Sequence, residues 1–128
     1  MRLLLDTQIF IWASAEPARL SNAASAAIVA DGNSVFVSAA TAWEIAIKVS
    51  LGRLAFLLDR FDAMLVALDF EPLPMTARHG IAAGRLPRHH NDPFDRMLIA
   101  QAVAEALTLV SCDQAIMQYN VPLLARTV

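Results

Sequence analysis

The chain has 128 residues, 57% of them hydrophobic and 17% charged, with ten Lys and Arg against twelve Asp and Glu for a formal net charge of −2. That length and apolar content predict one domain over 1–128 with a hydrophobic core of its own, and exclude a disordered tail. A single cysteine, Cys112, excludes an internal disulfide and a Cys-rich zinc site, and a pI near 5.8 excludes a protein that is basic over its whole surface.

In chain order, Leu3-Leu4-Leu5 reads as a buried strand. Arg2, this apolar run and Ala13-Ser14-Ala15 mimic a secretory leader, but Asp6 and Gln8 fall inside the would-be apolar region. The apolar stretch from Met97 to Val110 is broken by Gln101 and Glu105, which argues against a membrane span. A cytoplasmic protein with no membrane association is expected. Further strands are expected at 35–37, at 71–73 (where Pro72 and Pro74 predict an edge or a short strand), at 107–110 and at 121–124. Helical patterns fill 7–15, 21–30, 39–50, 59–68, 76–83, 93–106 and 113–119. Wholly apolar strands alternating with helices predict an α/β, three-layer fold around a short, mostly parallel sheet of about five strands.

In such a sheet the functional crevice lies beyond the carboxyl ends of the strands. Asp6 directly follows the first strand, and Asp113 follows the fourth after Ser111 and Cys112. Each is also a good helix cap, and taken alone a cap is the simpler explanation. Glu44 lies in the 39–50 helix, which Ser38 is placed to cap, four residues before Lys48 in the favourable order for an ion pair. With Trp43, Ala46, Ile47 and Leu54 as the apolar stripe, Glu44 sits at its border. Asp92-Pro93 is a strong helix start, with Asp92 as N-cap. Asp95 then heads an apolar face of Ile99, Ala102 and Ala106, which predicts that it lies over the sheet. Carboxylates brought to one edge repel unless a hard cation neutralises them, and Mg²⁺ suits oxygen donors. His79, His89 and His90 form no zinc spacing.

Leu-Leu-Leu-Asp-Thr at 3–7, Trp-Glu-Ile-Ala-Ile-Lys at 43–48, His-Asn-Asp-Pro-Phe-Asp-Arg-Met-Leu-Ile-Ala-Gln-Ala at 90–102 and Ser-Cys-Asp at 111–113 together resemble the PIN-domain family. More closely, they resemble the toxin component of VapBC toxin–antitoxin modules, over Leu3 to about Leu124. The resemblance implies an endoribonuclease that holds Mg²⁺ or Mn²⁺ at Asp6, Glu44, Asp95 and Asp113, and Asp6 and Asp95 are expected as the principal ligands. It implies Asp92 and Ser111 as supporting residues, RNA hydrolysis by a metal-activated water, inhibition by a cognate antitoxin, and a homodimer. Gln8 and Cys112 depart from the usual residues at their positions without removing an acid. Arg78, Arg85, Arg88, His89, His90 and Arg96 concentrate positive charge near Asp95, with Arg96 the foremost candidate for an RNA phosphate or an acidic group of an antitoxin.

Two other enzyme classes fit poorly. A haloacid-dehalogenase-type phosphatase needs a second acid where Gln8 stands, and a receiver domain needs a late lysine, whereas the last here is Lys48. The stronger alternative is a catalytically silent PIN-like module that binds RNA or a protein partner.

Overall fold

Residues 1–125 are described by the computed structural model. Five strands, β1 (Arg2–Leu5), β2 (Ser34–Ser38), β3 (Phe70–Leu73), β4 (Thr108–Ser111) and β5 (Leu123–Ala125), form one sheet in the order β3-β2-β1-β4-β5. Every pairing is parallel. Six α-helices accompany them: α1 (Thr7–Ala15), α2 (Asn22–Val29), α3 (Ala39–Ser50), α4 (Phe61–Leu68), α5 (Ala77–Gly84) and α6 (Pro93–Ala104).

Alternation along each strand splits the core in two. Leu3, Leu5, Val35, Val37 and Val110 pack with Ile9 and Phe10 of α1, Ala24 of α2 and Leu65 of α4. Leu4 and Leu109 pack on the other face with Leu98, Ile99 and Ala102 of α6. Both faces of β1 are thus covered, which is why its three leucines are fully buried without alternating with polar residues. The expected α/β, three-layer architecture is the one observed. Pro72 is tolerated because β3 is an edge strand, as its composition predicted.

Several expectations are corrected. The 113–119 segment is not an α-helix: a turn leads into a short 3₁₀ helix, Ile116–Gln118. Ile116 and Tyr119 are both buried, and their spacing of three serves a 3₁₀ turn as well as an α-turn. Helix α6 ends at Ala104, and Ala106 adopts φ 56°, so Ala106 does not continue the stripe headed by Asp95. Helix α3 stops before Gly52, whose φ of 71° is left-handed, so Leu54 lies outside it. The buried residues of α3 are Ala40, Thr41, Glu44 and Ile45, whereas Trp43 is 57% exposed. The inward face of α3 therefore carries polar groups and lies against a crevice as well as a core. No helix among the described residues is long and apolar enough to cross a membrane.

Candidate active site

The chain runs from β1 outward to β2 and β3, then returns to place β4 on the other side of β1. Parallel sheets open a crevice at such a reversal, beyond the carboxyl ends of the two strands. Asp6 stands there. Its backbone N–H extends the ladder to the Val110 carbonyl at 3.0 Å, and its Oδ1 accepts from the Ile9 N–H at 2.8 Å, capping α1. Helix capping and site position are therefore the same geometry. Asp113 follows β4, with its N–H donating to the Ser111 hydroxyl at 3.0 Å and its Oδ1 accepting from Ala115 N–H at 2.9 Å.

Glu44 and Asp95 arrive on α3 and α6. The Ser38 hydroxyl accepts from Ala40 N–H at 2.9 Å, as expected for the cap of α3, and the buried Gln101 of α6 accepts from that same hydroxyl at 2.6 Å. A second buried contact, Thr7 Oγ1 to Thr41 Oγ1 at 3.2 Å, ties α1 to α3. The expected pair of Glu44 with Lys48 is present at 3.0 Å, yet Glu44 is only 7% exposed and its Oε1 is buried with no hydrogen-bond partner. Asp92 caps α6 by accepting from Phe94 and Asp95 N–H at 2.9 and 3.1 Å, and is exposed.

A cavity of about 360 Å³ is lined by Asp6, Glu44, Asp92, Asp95 and Asp113, with Lys48 as the cation on its wall. Larger hollows of about 540, 610 and 460 Å³ gather at most two carboxylates each, so chemistry and not size singles out this cavity. Burial pushes the Asp6 carboxyl up to about 6, against the pull of hydrogen bonds from Ser111 and Ile9 and with a smaller push from Asp113 and Glu44. Burial likewise pushes Asp95 up to about 7, reinforced by Asp92, Asp113 and Asp6 and opposed by His90. Neighbouring carboxylates thus lie close enough to raise the proton affinity of Asp6 and of Asp95.

Oxygen donors of this kind fit a hard divalent cation, and the orphaned Glu44 Oε1 is the buried polar atom such an ion would satisfy, directly or through water. Among the described residues no three His, Cys, Asp or Glu side chains converge into a ready-made metal cage. Zinc of the structural kind is therefore a poor fit, whereas Mg²⁺ is commonly held by one or two carboxylates and several waters.

A model of the PIN domain matches residues 3–121. The chain belongs to the PIN-domain family. No curated protein matches it. Among solved structures it is similar to VapBC2 from Rickettsia felis, bound to a promoter DNA fragment (TM-score 0.72, 18% identity, 98% of each chain). It is also similar to a toxin–antitoxin complex from Klebsiella pneumoniae (TM-score 0.66, 15% identity, 96% of each chain). A third is VapBC-5 of Mycobacterium tuberculosis, a member of the VapBC family of toxin–antitoxin systems (TM-score 0.55, 22% identity, 99% of this chain and 98% of that one). At these identities the likeness is one of fold.

In this PIN domain Arg96 is not where a phosphate would find it. Its side chain is buried, and its guanidinium donates to the carbonyls of Ala83, Leu86 and Pro87 at 2.8–3.0 Å and to the Tyr119 hydroxyl at 3.1 Å. The five donors of a guanidinium suit this task of satisfying a carbonyl-rich loop end. The expectation that Arg96 meets RNA or an antitoxin is corrected accordingly. Nor do the basic residues of 78–96 form one patch on the site: Arg78 and Arg85 line a different hollow with His79 and Glu105, and it is His90 that reaches Asp95. Sequence reasoning missed Tyr119 and Thr41. Thr41 was within reach, because it lies one helical turn before Glu44.

Proposed function

We propose that this PIN domain is a divalent-metal-dependent endoribonuclease and the toxin of a toxin–antitoxin pair. One observation carries the nuclease reading: carboxylates from four distant points of the chain, Asp6, Glu44, Asp95 and Asp113, line one cavity at the carboxyl end of a parallel sheet. The toxin reading draws on the fold shared with the VapBC and Klebsiella pneumoniae complexes. A cognate antitoxin that covers this cavity, a homodimer and a cytoplasmic setting belong to the same proposal.

Asp6 and Asp95 would hold Mg²⁺ or Mn²⁺, with Asp113 and Glu44 beside them. When bound, such a cation makes its water a nucleophile near neutral pH and stabilises charge on a phosphoryl oxygen. Asp6 is held in place by its cap bond to Ile9, and Ser111 supports it from β4. Lys48 orients Glu44 through the 3.0 Å pair and puts a positive charge on a cavity wall that would otherwise repel RNA phosphates. Asp92 fixes the first turn of α6 and so the direction from which Asp95 enters.

The test is RNA cleavage by purified protein on a broad panel of single-stranded RNAs with Mn²⁺. Cleavage that chelator abolishes and fresh Mn²⁺ restores supports the nuclease. RNA or antitoxin binding with no cleavage across the panel would favour the alternative of a silent binding module.

A further inference from the structure

We infer that His90 is a positioning residue that fixes the Asp95 carboxylate for cation binding, held as a single tautomer by Tyr119 and Arg96. The inference rests on the metal-dependent reading of the cavity and deepens it.

Hydrogen-bond accounting carries the argument. The Tyr119 hydroxyl is buried and can donate one hydrogen bond and accept two. It accepts from the Arg96 guanidinium at 3.1 Å, because an arginine can only donate. It also accepts from the backbone N–H of His90 at 3.3 Å. Both lone pairs are then used, and the phenol's own proton must go outward. Two acceptors are in reach: His90 Nδ1 at 2.8 Å and the His90 carbonyl at 3.4 Å. The shorter contact takes the proton. Nδ1 is therefore the acceptor nitrogen of the ring, and the ring proton sits on Nε2.

Nε2 lies 3.2 Å from Asp95 Oδ2. The imidazole N–H thus donates to that oxygen and fixes which way Oδ1 is turned. Side-chain exposures of 18% for both His90 and Asp95 place the contact at the cavity rim, part-shielded from water. The ring is further held by an edge contact with Tyr119, their centroids 5.4 Å apart. Arg96 in turn is immobilised by the loop carbonyls it serves, so the chain of contacts runs from a rigid loop end to one oxygen of the site. Groups that orient a metal-binding carboxylate in this way contribute about 10- to 100-fold to metal affinity.

The experiment titrates Mn²⁺ into metal-free protein, wild type and variants, with free Mn²⁺ followed by electron paramagnetic resonance, so that no catalytic activity is needed. His90→Ala is expected to weaken binding about 10- to 100-fold, and His90→Gln, whose amide can donate to Asp95, to recover part of the loss. Long-range ¹H–¹⁵N spectra are expected to show the Nε2–H tautomer of His90 in wild type and a mixture in Tyr119→Phe. Circular dichroism confirms that each variant is folded. An Nδ1–H tautomer in wild type, or wild-type Mn²⁺ affinity in folded His90→Ala, overturns the positioning role and leaves the nuclease reading standing. Wild-type protein that binds no Mn²⁺ overturns both.

Discussion

Replacing Asp6 by Asn isolates the energetic cost of placing an acid where this one stands. Asn is nearly isosteric and is itself a good N-cap, so its side-chain oxygen can still accept from Ile9 N–H. The wild-type carboxyl lies at about 6 in the folded chain and at the ordinary 3.8 when exposed. Between those values the folded protein holds a proton that the unfolded chain has released, so stability falls as pH rises, and the whole cost is present above about 6. At roughly 1.4 kcal/mol per pH unit, that interval corresponds to a ceiling of ~3 kcal/mol. Urea unfolding in chelator, from pH 4 to 8, should therefore show Asp6→Asn gaining on wild type as pH rises. At pH 8 the variant should be the more stable by up to ~3 kcal/mol, a melting-temperature gain of roughly 10 °C for a domain of this size. At pH 4 the two should be close. A difference between them that does not change with pH, or that shrinks as pH rises, would refute the claim that Asp6 is a buried acid held against its charge.

Other outcomes follow from the same geometry. Mn²⁺ should raise the melting temperature more at pH 8 than at pH 5, because protons and cations compete for Asp6 and Asp95; differential scanning fluorimetry at the two pH values reads this. Asp95→Asn should lower Mn²⁺-dependent RNA cleavage by about 10²-fold or more while leaving the circular dichroism spectrum unchanged. Arg96→Ala should cost about 3 kcal/mol of stability in urea unfolding, because the buried carbonyl of Ala83 and the part-buried carbonyls of Leu86 and Pro87 lose a charged donor. An unchanged midpoint combined with weakened RNA binding would return Arg96 to the substrate.

The central strands β1 and β4 were legible because Leu3–Leu5 and Leu109–Val110 are short apolar runs buried on both faces, and the helix starts because Ser38, Asp6 and Asp92 are residues whose side chains cap. The edge placement of β3 was legible from Pro72. What periodicity could not separate was an apolar stripe from a polar crevice on the same helix: Trp43 was read as buried and is exposed, while its neighbour Glu44 is buried and held by Lys48. The two lie 100° apart on α3, so a small rotation of the assumed stripe exchanges them. Asp6 and Asp113 could be assigned to one edge from strand order alone. The roles of His90, Tyr119 and Arg96 could not, because they depend on which donor meets which acceptor across 30 residues of chain, and proximity in sequence to Asp95 pointed at Arg96 instead of His90.

Asp6, Glu44, Asp95 and Asp113 should together form one cation site. A crystal structure of the protein grown with Mn²⁺, with anomalous scattering used to locate the ion, tests it most directly. An anomalous peak is expected in the cavity, bound by carboxylate oxygens of Asp6 and Asp95, with Asp113 and Glu44 touching it directly or through water. Saturating Mn²⁺ that leaves this cavity without a peak, or that binds only elsewhere on the chain, would contradict it.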